Sequence, residues 1–329
     1  MTPTAIAPRC TIQVHLGPDD LSDALRRDVL HGLTDMPKHV PPKWFYDERG
    51  SDLFDQITRL DEYYPTRRET EILTREADAI ARRTGATTLL ELGSGTSTKT
   101  LLLLDGLAAA GSLQRIVPFD VCEPVLRAAA PELADRYPGV RVDAVVGDFE
   151  RHLGLLPMEG TTLVAFLGGT IGNLAPLERA KFLSELADQM QPGDWLLLGT
   201  DLVKDPARLV AAYDDAAGIT AEFNRNILRV LDRELDGNLV PERFAHVARW
   251  NADEQWIDMH LRSEGHQTAR LGALDLDLEF ADGELVHTEI SAKFTPGRLE
   301  GELAMAGLEL DRVLTDDAGD FAMSLAAKP

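Results

Sequence analysis

Two glycines follow a short apolar segment in ELGSGTSTKT, residues 91–100. Because glycine carries no side chain, the backbone at Gly93 and Gly95 can come close to a ligand. The helical segment that follows would direct the free N–H groups of its N-terminus at a carboxylate or phosphate. The spacing is not that of a P-loop, and Thr98 stands in place of the third glycine of a GxGxxG motif. The pattern indicates either a ligand-binding turn or an ordinary strand-to-helix turn.

Acidic residues end the next two apolar segments of the chain. Asp120 lies 27 residues after Gly93, where a carboxylate can accept hydrogen bonds from both hydroxyls of a ribose. Asp148 follows the third segment, where it could accept from an adenine amino group while Phe149 packs on the ring. Each residue alone is typical of an ordinary strand end. Together, at the carboxyl ends of successive strands, they favour an adenosine-containing cofactor.

The segments that must position these residues alternate between short apolar runs and helical patterns. Five candidate strands lie at 87–92, 115–121, 140–148, 161–170 and 194–202. This alternation is typical of a parallel sheet with helices on both faces. The chain closes with a predicted helix at 295–308 and two strands at 309–316 and 320–327, which predict one antiparallel edge strand.

Two other regions interrupt this alternation. The first is helical with a proline-punctuated loop, and the second combines a long helical stretch at 205–235 with several alternating segments, an α+β pattern. We therefore predict a cofactor-binding domain and an inserted substrate-binding lobe. The domain comprises residues 67–202 and 294–329, and the lobe comprises residues 13–66 and 203–293.

Local signals place several element ends. Ser51 is a natural N-cap for a helix over 51–60. Thr66 and Glu69 have the spacing of a capping box, which predicts a helix that begins there and ends at Gly85. Farther along, residues 244–251 and 255–264 alternate in polarity and predict a hairpin.

Composition limits the classes of partner. The 329 residues include 33 Lys and Arg against 55 Asp and Glu, a net charge of −22, so neither nucleic acid nor an anionic membrane is expected as a partner. The two cysteines offer no disulfide framework, and the eight histidines show no HxxxH or HxH pairing, so we expect no metal site. With neither a signal-peptide pattern nor an apolar run of ~18 residues, a cytoplasmic protein is expected.

Several segments, in this order, carry a family resemblance: PPKWFYDERGSDLFDQITRLDEYYPTRRE, ELGSGTSTK, GDFE, FLGGTIGN, LLLGTDLVKD, AYDDAAGITAEFNRNIL and TEISAKF. The chain resembles the S-adenosylmethionine-dependent methyltransferases, and most closely the histidine N-alpha-methyltransferase family of ergothioneine biosynthesis. The resemblance extends from about Leu21 to Ala327. It implies an α/β fold: a seven-stranded, doubly wound class I methyltransferase sheet with an inserted α+β substrate lobe.

The resemblance also implies site residues. The cofactor S-adenosyl-L-methionine would be bound by Gly93, Lys99, Asp120, Asp148 and Phe149. L-Histidine would be bound by Tyr63, Asn173, Tyr213, Glu289, Ile290 and Ser291, with Tyr46 and Asn173 in catalytic roles. The ammonium group of Lys99 can pair with the methionine carboxylate. Glu289 and Ser291, two positions apart on one strand face, can hold an imidazole.

The reaction implied is the transfer of three methyl groups to the α-amino group of histidine, which forms hercynine. Two departures from the family pattern are Gly169, where a serine is usual, and Arg312-Val313-Leu314, where tryptophans are expected. We expect Gly169 to loosen the pocket slightly and the second departure to lie at the sheet edge. We also expect a monomer. Alternatives are methylation of another amino acid or small amine, a nicotinamide-dependent dehydrogenase, and a non-catalytic adenosine-ligand sensor.

Overall fold

The computed structural model describes residues 9–17, 19–95 and 99–329. The strands are β1 (Cys10–Val14), β2 (Thr88–Leu92), β3 (Arg115–Asp120), β4 (Arg141–Val146), β5 (Thr162–Phe166), β6 (Trp195–Asp201), β7 (Phe244–Asn251), β8 (Trp256–Ser263), β9 (Gln267–Leu271), β10 (Leu276–Phe280), β11 (Leu285–Ala292), β12 (Glu309–Thr315) and β13 (Phe321–Ala327). The α-helices are α1 (Asp20–Thr34), α2 (Glu48–Ile57), α3 (Pro65–Thr84), α4 (Thr100–Ala109), α5 (Glu123–Arg136), α6 (Phe149–His152), α7 (Pro176–Gln189), α8 (Pro206–Tyr213), α9 (Ile219–Glu234) and α10 (Pro296–Met305).

The main sheet has eight strands in the order β1-β4-β3-β2-β5-β6-β13-β12. The predicted number of seven is therefore one too few, because β1 adds to the edge by pairing in parallel with β4. The remaining seven strands have the predicted alternation, with β2 to β6 parallel to one another. The α/β class of the sequence-based prediction is confirmed.

The prediction of an antiparallel edge strand is wrong in its position. The antiparallel strand is β13, which lies inside the sheet between β6 and β12. Its sequence, FAMSLAA, is buried along almost its whole length, whereas β12, ELDRVLT, is largely exposed or half-buried. The apolar strand thus takes the interior position, because both of its faces are covered, and the charged strand takes the edge.

Helices cover both faces of this sheet. Successive strand residues alternate between two apolar clusters, so that Leu89 packs with α3, α4 and α5 while Leu90 packs with α7 and α10. A third cluster joins residues from the segments 25–64 and 209–286. That cluster includes the three-stranded sheet β11-β8-β7, whose β7–β8 hairpin was predicted. The limits of the two predicted domains stay a prediction.

Three local predictions differ from the structure. The stretch 205–235 forms two helices, α8 and α9, which are separated by residues 214–218. Gly218, with a φ of +75°, directly precedes α9. Asp47, and not Ser51, caps α2 by accepting a hydrogen bond from the Gly50 N–H at 2.8 Å. Gly50 itself permits a close approach, since a Cβ there would lie 1.7 Å from the carbonyl oxygen of Phe45.

The predicted capping box at Thr66 is also absent. Helix α3 begins at Pro65, one residue earlier, and the side chain of Glu69 is wholly buried inside the protein. The predicted end of the helix at Gly85 is confirmed by its left-handed φ of +54°. In the described part of the chain, no helix has the length and apolar character needed to cross a membrane.

Candidate active site

The glycine loop is tied to the end of β3. The N–H groups of Gly93 and Ser94 donate to the carbonyl oxygen of Phe119 at 2.9 and 3.0 Å. Gly93 and Gly95 have φ of +69° and +48°, and among the described residues other than their chain neighbours no atom lies within 4 Å of the position that a Cβ would take at either residue. The loop therefore has the left-handed backbone that favours glycine and leaves space beside it for a ligand.

Asp120 closes this loop from the neighbouring strand. Its carboxylate accepts from the N–H groups of Gly95 and Cys122, both at 2.9 Å. Burial raises the pKa of Asp120, and these backbone donors partly oppose the rise. Each carboxylate oxygen retains capacity for a second hydrogen bond, so Asp120 can accept from a pair of hydroxyls.

Asp148 and Phe149 follow β4, which lies beside β3 at the same edge of the sheet. The N–H of Asp148 donates to Nδ1 of His152 at 3.0 Å, which fixes the turn into α6. The ring of Phe149 packs edge-on against Phe166 and Phe182, with centroids 5.8 and 5.5 Å apart. The three strand ends thus converge as predicted and fit an adenosine-containing ligand.

Lys99, predicted to hold a ligand carboxylate, is half-buried and is paired with the fully buried carboxylate of Glu69. The buried Glu69 carboxylate also accepts from the N–H of Gly168 at 2.8 and 3.0 Å. A Cβ at Gly199 would lie 2.3 Å from the carboxylate, so the glycine leaves room for it. Glu69 therefore connects the cofactor loop to the Gly168-Gly169 turn. Sequence reasoning missed this role, because it assigned Glu69 to a helix cap.

A partly open cavity lies at the Gly168-Gly169 turn. Six of the predicted site residues line it: Tyr46, Tyr63, Asn173, Tyr213, Glu289 and Ser291. The structure thus brings together side chains from five separated segments. Ile290 is not among the lining residues, although it is buried in the same strand. Its predicted contact with substrate stays a prediction.

Glu289 and Asp201 are the buried acids among the described residues that line this cavity, and Glu289 has 9% of its surface exposed. Burial raises its pKa to about 7, against the opposing effects of Lys293 and of the hydrogen bond from Asn173. A β-bulge between His287 and Glu289 shifts the register of β11, and Met259 becomes the cross-strand neighbour of Glu289. Bulges re-aim side chains, which is why a simple alternation count along β11 does not locate this carboxylate.

Two hydroxyl groups lie beside Glu289. Oη of Tyr213 and Oγ of Ser291 are 2.7 Å apart, and each also lies within 2.9 Å of Nζ of Lys293. The third contact of Lys293 is Oδ2 of Asp201 at 3.0 Å. Lys293 was not predicted, since a lysine after an apolar strand usually lies at the surface.

Aromatic rings also line this cavity. Phe223 packs against Tyr46 and Phe54 at centroid distances of 5.5 and 6.0 Å. Phe54 and Tyr213 each contact Tyr63, at 6.1 and 6.2 Å. Phe54 and Phe223 were not predicted as site residues, because apolar rings at helical spacing are also typical of a core.

Tyr46 lines the cavity and its ring packs edge-on against Phe54 and Phe223, although the residue exposes 44% of its surface. Burial of the phenol group and the nearby Glu289 raise the pKa of Tyr46 well above its ordinary value. Burial likewise raises the pKa of Tyr63, with Tyr213 and Glu289 as the next contributors. Both phenols therefore keep their protons at neutral pH and can donate a hydrogen bond.

The two departures from the family pattern lie in different places. Gly169 has a φ of +71° and precedes the short helical turn that carries Asn173, so this backbone favours the glycine found here. Residues 312–314 lie in edge strand β12 and do not line the cavity. Among residues 9–17, 19–95 and 99–329, no group of three or more His, Cys, Asp or Glu side chains could hold a metal ion.

The chain is similar to proteins of known name. Residues 25–328 match the family described as histidine-specific methyltransferase, SAM-dependent. The Histidine N-alpha-methyltransferase of Mycolicibacterium smegmatis is 58% identical over 95% of this chain and 98% of its own length. That of Mycobacterium tuberculosis is 57% identical over 97% of this chain and its entire length. A solved S-adenosylmethionine-dependent methyltransferase from Clostridium acetobutylicum has a TM-score of 0.45 at 10% identity, covering 85% of this chain and 97% of its own.

The family match and these full-length similarities agree with a glycine loop and acidic strand ends that suit an adenosine cofactor. The chain belongs to the S-adenosylmethionine-dependent, histidine-specific methyltransferases.

Proposed function

We propose that this protein transfers three methyl groups from S-adenosyl-L-methionine to the α-amino group of L-histidine, forming hercynine in ergothioneine biosynthesis. One observation carries the proposal: a buried carboxylate, Glu289, lies in an aromatic cavity lined by Gly168, whose N–H donates to Glu69, the partner of Lys99 in the cofactor loop. The names of two relatives at 57 and 58% identity support the same reaction.

The cofactor residues fit S-adenosylmethionine. Asp120 would accept from the ribose hydroxyls, and Asp148 with Phe149 would hold the adenine. The space beside Gly93 and Gly95 would admit the methionine portion, whose carboxylate Lys99 would attract. When bound, this cofactor supplies a methyl group already activated by its sulfonium.

The substrate residues suit histidine. A ring N–H of the imidazole would donate to Glu289, and Ser291 would face the other ring nitrogen. The hydroxyl of Tyr63 and the amide of Asn173 are suited to the amino-acid backbone. Tyr213 belongs to the same polar wall, since its hydroxyl contacts Ser291.

The chain contributes mainly position and environment to the transfer. Burial among aromatic rings disfavours the charged α-ammonium group and so lowers its pKa. Tyr46 would hydrogen-bond the amine and direct its lone pair, and Asn173 would hold the substrate beside it. Such positioning is worth several kcal/mol in enzymes. Aromatic faces also attract methylated ammonium groups, at ~0.5–2 kcal/mol each, so the trimethylated product should dominate.

Several further assignments belong to this proposal. Residues 67–202 and 294–329 form the cofactor domain, and residues 13–66 and 203–293 form the substrate lobe. The protein acts as a monomer, without a nucleic-acid partner. The free cysteines Cys10 and Cys122 suit the reducing cytoplasm.

Incubation with S-adenosylmethionine and a panel of amino acids tests the proposal, with mass spectrometry to detect one, two or three added methyl groups. We expect histidine to exceed leucine and phenylalanine by orders of magnitude, because a site built to hydrogen-bond a substrate group rejects analogues that lack it. Preference for another amine, or accumulation of only monomethylhistidine with cofactor in excess, would contradict it.

The variant Glu289→Ala tests the assignment of the imidazole. It should lose most activity on histidine and keep its affinity for S-adenosylmethionine. A suitable control is Glu284→Ala, since Glu284 pairs with Lys38 and does not line the cavity. An unchanged kcat/KM of Glu289→Ala would remove the main physical support for histidine.

A further inference from the structure

A fully buried lysine lies behind the polar wall of the cavity. Lys293 has 0% of its surface exposed, and its ammonium group has three protons to donate. Three oxygens lie within reach: Oγ of Ser291 at 2.8 Å, Oη of Tyr213 at 2.9 Å and Oδ2 of Asp201 at 3.0 Å. Since an ammonium group cannot accept, both hydroxyls must accept from Lys293.

Because both hydroxyl oxygens accept from Lys293, the hydroxyl pair acts towards the cavity as a hydrogen-bond donor. Tyr213 and Ser291 have two protons between them, and their oxygens are 2.7 Å apart, so one proton is used in the bond that joins them. The described part of the chain offers no further acceptor to either hydroxyl. One proton therefore remains, and both residues line the cavity. Either proton arrangement leaves one outward donor.

Asp201 does not by itself account for Lys293, whose charge also acts on Glu289. Its acidic partner, Asp201, also binds Nζ of Lys204 at 2.5 Å and the hydroxyl of Tyr64 at 2.8 Å. Removal of Lys293 would thus leave Asp201 with a cation and a hydrogen-bond donor. A buried ammonium group is costly unless its protons are used, and two of these protons are directed at cavity hydroxyls.

We propose that Lys293 is a positioning residue for substrate binding, which makes Tyr213 and Ser291 present one outward donor to an acceptor atom of the substrate. The inference rests on the proposed function. The acceptor atom is either the unprotonated ring nitrogen of an imidazole or a carboxylate oxygen. Glu289, which lies on the same strand as Ser291, would accept a hydrogen bond from the substrate. The Glu289 side of the pocket is therefore an acceptor, and the side formed by Tyr213 and Ser291 is a donor.

The test compares Lys293→Met with a matched control, Lys204→Met. Both variants remove an ammonium group from Asp201, but Lys204 contacts Tyr64 and the carbonyl oxygen of Leu202 and touches neither cavity hydroxyl. We expect Lys293→Met to raise the KM for histidine about tenfold, the effect of one lost hydrogen bond. Its affinity for S-adenosylmethionine should stay close to that of the wild type, and Lys204→Met should keep the wild-type KM.

The pH profile separates positioning from loss of structure. Lys293 opposes the rise in the pKa of Glu289. The other groups that surround Glu289 in the described part of the chain are Asn173, Ser291, three neutral tyrosines and the buried carboxylate of Asp201, which lines the same cavity. Lys293→Met should therefore move the acidic limb of histidine binding to higher pH. Lys293→Gln, which keeps a donor but no charge, should show the same pH displacement with a smaller rise in KM. It serves as the second variant if the methionine variant does not fold.

A double-mutant cycle tests whether Lys293 acts on histidine binding through the hydroxyls of Tyr213 and Ser291. In a Ser291→Ala, Tyr213→Phe background, Lys293→Met should raise KM much less than it does in the wild type, because the hydroxyls through which it acts are gone. An equal rise in both backgrounds would overturn the inference. So would an unchanged KM in Lys293→Met, or an equal rise in Lys204→Met.

Histamine, which lacks the carboxylate, distinguishes the two acceptor atoms. If the ring nitrogen is the acceptor, Lys293→Met should weaken histamine and histidine binding alike in calorimetry. If the carboxylate is the acceptor, histamine binding should be unaffected at a pH above the acidic limb, where Glu289 is ionised in both proteins. Wild-type protein that does not bind histidine would defeat the proposed function and with it this inference. Active wild type with indistinguishable Lys293→Met and Lys204→Met variants would defeat this inference alone.

Discussion

Replacement of Glu289 by glutamine should stabilise the ligand-free protein above neutral pH while it weakens histidine binding. Burial raises the pKa of Glu289 from 4.5 to about 7 in the folded chain. The folded state therefore keeps a proton over a pH range in which the unfolded chain has released it. Stability is greatest below pH 4.5 and falls as the pH rises towards 7, because the buried site resists ionisation.

The magnitude follows from the difference between the two pKa values. At 1.36 kcal/mol per pH unit, the rise from 4.5 to about 7 corresponds to about 3 kcal/mol lost by pH 8. Glu289→Gln is isosteric and cannot ionise, so its stability should exceed that of the wild type by up to this amount at pH 8. The two proteins should be nearly equal at pH 4.

Urea denaturation of both proteins at pH 4, 6 and 8, without ligands, measures this difference. Glu284→Gln is a control of opposite sign. Burial of Glu284 opposes ionisation, but the hydrogen bonds from Lys38 and the Ala281 N–H outweigh it and lower the pKa of Glu284. This second variant should lose stability at pH 8. A gap between Glu289→Gln and wild type that does not grow with pH would refute the reasoning.

Two further predictions concern the cofactor side. Asp120→Ala should weaken S-adenosylmethionine binding by ~1.5–3 kcal/mol for each charge-assisted bond lost, and unchanged affinity in a folded variant, measured by calorimetry, would contradict the placement of the ribose. Glu69→Gln should lower the melting temperature and raise the KM for S-adenosylmethionine, because the amide keeps a contact with the Gly168 N–H but loses the charge paired with Lys99. Unchanged values of both quantities would exclude a role for Glu69 in ordering the cofactor loop.

The sequence predicted the parts of the fold that depend on local patterns. Apolar runs separated by helical segments placed β2 to β6, and residues at the ends of those strands, Gly93 and Asp120 among them, identified the cofactor edge. Parallel strands bring their carboxyl ends to one edge, so a one-dimensional order sufficed for that half of the site. The substrate residues came from the family resemblance, because Tyr63 or Glu289 alone is typical of packing or of a solvated strand.

The strand order at both sides of the sheet and the burial of Glu69 depended on how distant segments pack together. β13 entered the sheet interior because both of its faces could be covered, and β1 added an eighth strand by pairing with β4. Glu69 had the spacing of a helix cap, yet tertiary packing buried its carboxylate against Lys99 and the Gly168 N–H. Local spacing cannot reveal such a partner, since it lies far along the chain.

At the active site, the difference between what the sequence determined and what the tertiary structure decided has the same physical basis. By itself, the sequence determined which chemical groups are available and the strand ends that carry the cofactor residues. The tertiary structure decided the charge and the hydrogen-bond partners of those groups. It buried Glu289 and so raised its pKa to about 7, and it placed Lys293 within hydrogen-bond distance of the hydroxyls of Tyr213 and Ser291. Burial and hydrogen-bond partners arise only when distant segments pack, and these two quantities set charge and polarity.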